Sequence, residues 1–327
     1  MIRVSHDSPP ARVTTRFAPS PTGLLHPGHA RSAILAHDFA SRHGGRFIVR
    51  IEDIDSGRCR REYETILFED LAWLGLSWVP TVRRQSECMA DYAAALAVLE
   101  RQGLLYPCFC TRREIQAQVA ASGQAPHGPD PWMYPGTCRH LSSSQREERI
   151  GQGDAYSLRL DMRRAIAMTG PLNWFDLGMG WIPAAPEQFG DVVLARKEFP
   201  ASYHLAVTVD DHLQEITHVI RGVDLAPATH IHRLLQALLG LDTPTYAHHP
   251  LVTDDSGRRL AKRHGAVSLK AMREQGLDPE TVRQKAGYPW PAWAEGTLNR
   301  SSPPDRPAAP GDHPTIQSRG RSSECDH

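Results

Sequence analysis

The stretch from Val13 to Ile51 constrains the fold more than any other part of this chain. Val13 to Phe17 is β-branched and apolar and predicts a strand. A connection rich in Pro19, Pro21, Gly23, Pro27 and Gly28 follows, and the spacing then predicts a helix from Gly28 to Arg42. Gly44-Gly45 breaks that helix, and Arg46-Phe47-Ile48-Val49-Arg50-Ile51 reads as a second, buried strand. Strand, helix and strand in this order specify a βαβ unit and a parallel sheet. His26 and His29 flank the Pro-Gly pair where the helix begins. Imidazole donors and bare backbone at a helix N-terminus suit a phosphate.

The other bulk features exclude several classes. A chain of 327 residues can hold two or three domains. Its 37 basic side chains balance 37 acidic ones, so any nucleic-acid binding must rest on local patches. No apolar run approaches transmembrane length and no signal-peptide pattern opens the chain, so a cytoplasmic protein with no membrane partner is expected. The lysines are Lys197, Lys262, Lys270 and Lys285, so a lysine inside a motif carries weight against the arginine background. Six cysteines do not make a disulfide scaffold at this size. Cys108, Cys110 and Cys138 lie close in sequence, whereas Cys59, Cys88 and Cys325 are isolated.

Further along, Tyr63, Leu67, Leu71 and Leu74 fall at helical spacing, and an Ala-rich helix is predicted from Cys88 to Gln102. The character changes between Tyr106 and Phe189, with the cysteines, a Pro/Gly-rich loop from Gly123 to Gly136 and a short strand from Tyr156 to Leu160. This stretch reads as an insertion between two halves of a nucleotide-binding fold. Returning strands are predicted at Asp191 to Ala195, Tyr203 to Val209 and Ile216 to Ile220. Helices are predicted over 227–239, Leu269 to Glu274 and Pro279 to Lys285, with a polar loop from Val252 to Arg263 between them. Periodicity ends after Gly287.

The run Arg16-Phe17-Ala18-Pro19-Ser20-Pro21-Thr22-Gly23, continuing to His26-Pro27-Gly28-His29, resembles the signature of class I aminoacyl-tRNA synthetases in the version used by glutamate-specific enzymes. The resemblance to glutamyl-tRNA synthetases covers about residues 12 to 287. It implies an α/β fold: a Rossmann-type parallel sheet, a zinc-containing α+β insertion and a small C-terminal helical region. The expected division is a disordered leader over 1–11, the first half of the catalytic domain over 12–105 and an acceptor-binding insertion over 106–190. The second half follows over 191–245, a Lys-Met-Ser-Lys-Ser-like loop with a helical stem-contact region over 246–288, and a disordered tail over 289–327.

It also implies a ligase that activates L-glutamate with ATP and Mg²⁺. His26, Gly28, His29 and Lys262 would hold ATP, with His26, His29 and Lys262 acting on its phosphates. Lys262 lies in Arg258-Arg259-Leu260-Ala261-Lys262-Arg263, where Arg259 replaces a usual lysine and Ala261 a usual serine. Arg16, Phe17, Ala18, Pro19, Ser20, Glu52, Tyr203 and Arg221 would bind glutamate, with Arg221 forking onto its side-chain carboxylate. Spacing alone leaves metal binding by Cys108, Cys110 and Cys138 open, with Tyr134, His127 or His140 as the fourth donor. The resemblance implies one structural Zn²⁺ on Cys108, Cys110, Tyr134 and Cys138.

Full-length members of the family continue into a helical anticodon-binding domain, and the short tail predicts its absence here. A catalytic body of this kind resembles the paralogues that transfer glutamate to queuosine in the anticodon of tRNA(Asp). Two other readings stay open: a truncated or discriminating enzyme charging a tRNA 3′ end, and a catalytically silent RNA-binding paralogue. A monomer is expected. Arg112, Arg113, Arg163 and Arg164 are candidate RNA contacts and equally a solvated surface.

Overall fold

The computed structural model describes residues 12–121, 133–196, 200–253, 267–287 and 291–295. The Lys262 loop, His127, the leader and nearly all of the tail lie outside the described residues.

The chain forms β1 (Thr14–Phe17), α1 (Pro27–Arg42), β2 (Arg46–Ile51), α2 (Arg61–Trp73), β3 (Arg83–Arg84), α3 (Met89–Arg101) and β4 (Leu105–Cys108). Then come α4 (Arg112–Ala121), α5 (Ser143–Gly151), β5 (Ser157–Leu160), α6 (Met162–Thr169), β6 (Asn173–Asp176), β7 (Gly180–Pro183) and β8 (Val193–Arg196). The last elements are α7 (Tyr203–Leu213), β9 (His218–Gly222), α8 (Ala228–Leu239), β10 (Thr245–His249), α9 (Leu269–Glu274), α10 (Pro279–Lys285) and α11 (Ala292–Glu295).

Seven strands make the main sheet in the order β3-β2-β1-β9-β10-β6-β7, and all pairings but β6–β7 are parallel. Order reverses between β1 and β9. The chain runs from β1 out to β2 on one side, while β9 leads to β10 on the other. In open α/β sheets such a switch point opens a crevice at the carboxyl ends of the strands.

The two faces of this sheet differ in chemistry. Side chains alternate along strands, and laterally paired residues of a parallel sheet share a face. Phe47, Val49, Ile51, Ile220 and Ala247 join one core with Ile34, Leu35 and Phe39 of α1 and Leu67 and Leu71 of α2. The opposite face carries Arg16, Arg50, Arg221 and His248, in registers that pair Arg16 with Ile48 and Arg221 with His248. Four large polar side chains on a buried sheet face need partners, and α7, α8 and Asp176 at the end of β6 supply them.

A three-stranded antiparallel sheet, β4-β5-β8, stands apart from the main one. It borders a small cluster of Tyr106, Cys108, Phe109, Ile115, Tyr134 and Cys138.

Helices α9 and α10, together with the βαβ unit, match their predicted spans within a residue or two. One element differs in type: Tyr203 to Val209, expected as a strand, is the first two turns of α7. Every residue from Leu205 to Asp211 is buried, so the helix lacks the amphipathic period that would mark it. Ser202 caps it by accepting from the Leu205 N–H at 3.4 Å, and burial overrides the strand preference of Val207, Thr208 and Val209. Asp191 to Ala195 also contributes a strand, but β8 pairs with β5 in the small sheet and does not return to the main one. The hairpin β6–β7, within the stretch expected as an insertion, joins the main sheet through Asp176 and Tyr246.

Candidate active site and metal centre

A cleft of about 340 Å³ opens at the switch point. Its wall contains Arg16, Phe17, Ala18, Pro19, Ser20 and Glu52, from the ends of β1 and β2. His26, Gly28 and His29 at the start of α1, Tyr203 on α7 and Arg221 on β9 complete the predicted set. Every predicted glutamate and ATP residue within the described residues therefore meets in one cavity. Lys262 falls outside them.

The start of α1 is a capping box made by two histidines. His26 is the N-cap, and its Nδ1 accepts from the Gly28 N–H at 3.1 Å. His29 closes the box, its Nδ1 accepting from the His26 N–H at 3.2 Å. A neutral imidazole that accepts at Nδ1 carries its proton on Nε2. The local backbone thus sets both rings as Nε2–H donors, 3.8 Å apart between centroids. Gly28 fits the same packing, because a Cβ there would lie 2.9 Å from His26 Cε1 and the ring would have to shift. Pro27 fills the first helical position, where its missing N–H costs nothing.

The arginines are distributed unequally among acids. Arg16 Nε donates to Asp211 Oδ1 at 3.1 Å. Arg50, with no exposed side-chain surface, pairs with Asp211 and lies 3.7 Å from Asp210. Asp210 also accepts from Arg83 Nε at 2.7 Å, from Gln85 Nε2 at 2.8 Å and from the Tyr92 hydroxyl at 3.0 Å. Arg221 is just as buried, yet its hydrogen-bond partners among the described residues are neutral. Its Nη2 donates to Thr229 Oγ1 at 2.7 Å, Nε to His248 Nε2 at 3.2 Å, and Nη1 to the Tyr203 hydroxyl at 3.3 Å. His232 Nδ1 lies 3.5 Å from Nη1. Burial pushes His204 down to about 4 and His232 well below the usual histidine range, with Arg221 reinforcing both. These rings stay neutral, and Arg221 is a buried cation open to an anion in the cleft.

Glu52 lines the same cleft, and its side chain has no hydrogen-bonded partner among the described residues. Burial raises its carboxyl to about 7, against the opposing pull of Arg50 and Arg16. Desolvation therefore wins over two nearby cations, and the group gains from a cationic ligand. An ammonium at Glu52 and a carboxylate at Arg221 fit the two ends of an acidic amino acid.

Sequence reasoning missed several residues here. Ser32, His249, Leu251 and Val252 line the cleft, with Ser32 Oγ 2.8 Å from His249 Nε2. Thr229, His232, His248, Asp210 and Asp211 pack behind it. The doublet His248-His249 at a strand end was the available signal. Of the acids that follow the predicted segments, Asp53 accepts from the Ser86 N–H at 2.8 Å and Asp55 pairs with Arg58, whereas Asp224 lines the cleft.

The cysteines converge as well. The Sγ atoms of Cys108, Cys110 and Cys138 lie within 4.8 Å of one another, and Cys110 and Cys138 are 3.5 Å apart. Zn–S bonds of about 2.3 Å at tetrahedral angles put sulfurs about 3.8 Å apart, so the trio fits a metal. The Tyr134 oxygen is 3.8 Å from Cys110 Sγ and accepts from the Cys138 N–H at 2.7 Å. Gly136, at φ 87°, makes the turn that brings Tyr134 to Cys138, and the Phe109 N–H donates to Cys138 Sγ at 3.4 Å. Hydrogen bonding from Cys108, with help from Tyr134 and Phe109, holds the Cys138 thiol below its ordinary value. His140 is exposed and outside the trio. Arg112, Arg113, Arg163 and Arg164 are all exposed.

Residues 12–287 match the family described as tRNA synthetases class I (E and Q), catalytic domain. The chain is 49% identical over 278 residues to the Glutamyl-Q tRNA(Asp) synthetase of Rhodobacter capsulatus, covering 84% of this chain and 99% of that protein. It is 40% identical over 272 residues to the glutamate–tRNA ligase of Aquifex aeolicus, covering 83% of this chain and 56% of that enzyme. It thus spans little more than half of that ligase. The glutamate-tRNA synthetase structure from Elizabethkingia anophelis superposes with a TM-score of 0.73 at 28% identity, over 85% of this chain and 62% of that one. No helix among the described residues is long and apolar enough to cross a membrane. The cleft at the strand ends and the family match agree, and the chain belongs to the glutamate and glutamine group of class I tRNA synthetases through their catalytic domain.

Proposed function

We propose that this protein activates L-glutamate with ATP and transfers the glutamyl group to queuosine in tRNA(Asp). The observation that carries the amino-acid assignment is Arg221, a buried guanidinium with neutral partners among the described residues, facing a cleft that also holds Glu52. Arg221 and the Tyr203 hydroxyl receive the side-chain carboxylate of glutamate, and Glu52 receives its ammonium. Arg16, with Nε committed to Asp211, keeps its Nη donors for the ligand. Phe17, Ala18, Pro19 and Ser20 form the wall against which the amino acid lies.

The α-carboxylate oxygen of glutamate attacks the α-phosphorus of ATP, and the bond to the bridging oxygen of pyrophosphate breaks. The Nε2–H donors of His26 and His29 stabilise the charge that gathers on the phosphates. Lys262, outside the described residues, adds a mobile cation. Mg²⁺ accompanies ATP and neutralises its phosphates. A hydroxyl of the queuosine cyclopentene ring then attacks the glutamyl carbonyl, loses its proton and expels AMP, so positioning does most of the second step. Zinc held by Cys108, Cys110, Tyr134 and Cys138 would act structurally, tying β4 to the turn at Gly136.

The acceptor assignment is supported by the relatives. Identity is higher to the Glutamyl-Q tRNA(Asp) synthetase, at 49%, than to the glutamate–tRNA ligase, at 40%, and the first is covered almost end to end. The protein acts as a monomer in this reading. Labelled glutamate and ATP incubated with tRNA(Asp), with and without queuosine, and with tRNA(Glu) provide the test. Label confined to queuosine-bearing tRNA(Asp) is expected. Label on the 3′ end of tRNA(Glu) would replace the acceptor, and no label on any RNA would point to a silent RNA-binding paralogue.

Glutamate capture needs Glu52 ionised, and its carboxyl in the free protein titrates at about 7. Activity therefore rises with pH through that value. In ATP–pyrophosphate exchange, kcat/KM for glutamate at pH 6 should be about ten-fold below its alkaline plateau. A flat profile between pH 6 and 8 would contradict the role of Glu52. Metal analysis of protein purified without chelator should find one zinc per chain, and Cys138→Ser should lose it. A metal-free, equally stable wild type would overturn the zinc assignment.

A further inference from the structure

Behind Arg221 lies a chain of buried polar groups that the reaction does not touch. Asp176 ends β6, and neither it nor the His248 side chain has exposed surface. Asp176 Oδ2 lies 2.7 Å from His248 Nδ1 and accepts from the His248 N–H at 3.1 Å. Its other oxygen accepts from the N–H groups of Gly178 and Met179, at 2.8 and 3.1 Å. Both oxygens are thus tied down by the β6–β7 turn and by β10. A fixed acceptor at Nδ1 places the imidazole proton there, leaving Nε2 with a lone pair. That lone pair meets the Arg221 Nε–H at 3.2 Å. Thr229 braces the same corner, accepting from Arg221 Nη2 at 2.7 Å with its hydroxyl 3.5 Å from His248 Nε2.

The alternative tautomer would turn an Nε2–H toward the Arg221 Nε–H, donor against donor. A guanidinium has five donors and no acceptor, so it would have to rotate away. Its orientation toward the cleft would change with it. Burial holds the imidazole below its usual range even with Asp176 opposing, so the ring does not bring a competing positive charge to Arg221.

We infer that Asp176 and His248 are positioning residues for substrate recognition: Asp176 fixes the His248 proton on Nδ1, and the Nε2 acceptor so created aims the Arg221 guanidinium at the ligand carboxylate. This rests on the reading of Arg221 as the carboxylate receptor for glutamate. It assigns the β6–β7 hairpin, remote from the ligand, a part in amino-acid selection.

The test is ATP–pyrophosphate exchange with separate titration of glutamate and ATP, on full-length wild type, Asp176→Asn, His248→Leu and His248→Gln. Asp176→Asn keeps the shape but puts an N–H where Oδ2 accepts. His248→Leu removes the acceptor, and His248→Gln restores one at the distance of Nε2. Asp176→Asn and His248→Leu should raise the KM for glutamate about ten-fold or more, with the KM for ATP changed by about two-fold at most. His248→Gln should recover most of the loss. The Asp176→Asn/His248→Leu double variant should match His248→Leu alone, since both act through one acceptor. Glutamate KM values within about two-fold of wild type, or equal losses for glutamate and ATP, would overturn the inference. If Asp176→Asn does not fold, the His248→Gln and His248→Leu pair decides, and equal KM values for those two would overturn it. Wild-type exchange that ignores glutamate would instead sink the functional reading, and this inference with it.

Discussion

The adjacent carboxylates Asp210 and Asp211, near the end of α7, are what the rest of this structure depends on. One face of the main sheet buries Arg16, Arg50 and Arg221, and Arg83 reaches the same region from β3. Unpaired charges of this kind are costly to bury. The two aspartates pair with Arg16, Arg50 and Arg83 and leave Arg221 to hydroxyls and neutral imidazoles. The proposed selectivity for a carboxylate rests on that unequal distribution. A sheet face with every arginine paired would offer nothing to a carboxylate, and one with none paired would be hard to fold.

The same economy governs the nucleotide end. His26 and His29 complete the helix N-terminus with their Nδ1 atoms, and the structural bond itself dictates which nitrogen keeps its proton. Capping therefore uses one edge of each ring, and the phosphate recognition proposed above would use the opposite one. Gly28 belongs to this arrangement through His26, whose folded-back ring occupies the space of a side chain. Gly28 therefore has a structural reason to lack a side chain in addition to the approach by a nucleotide that the family resemblance implies.

Local features were legible in the sequence. The βαβ unit, the spans of α9 and α10, and the place of His26 and His29 at a helix start follow from short-range patterns of glycine, proline and apolar residues, whereas Arg16 to Ser20 and Glu52 entered as cleft residues through what the family resemblance implies. Long-range features were not. Helix α7 is buried at every residue from Leu205 to Asp211 and carries the β-branched run Val207-Thr208-Val209, so its period was hidden and it read as a strand. β8 looked like a returning strand, and only its partner β5 places it elsewhere. The network behind Arg221 joins β6, β9, β10, α7 and α8, and no motif in a single segment announces it. Arg221 itself was legible only through family resemblance; what marks it physically is the set of neutral groups that tertiary packing brings around it.

The comparison of L-glutamate with L-glutamine in ATP–pyrophosphate exchange tests this account most directly. Glutamine matches glutamate in size and lacks only the charge that a buried guanidinium reads. If Arg221 with its neutral surroundings selects the side-chain carboxylate, kcat/KM for glutamate should exceed that for glutamine by about a hundred-fold or more. Activation of the two amino acids within about ten-fold of each other would contradict it, because it would mean that the unpaired charge beneath the cleft does not read the ligand.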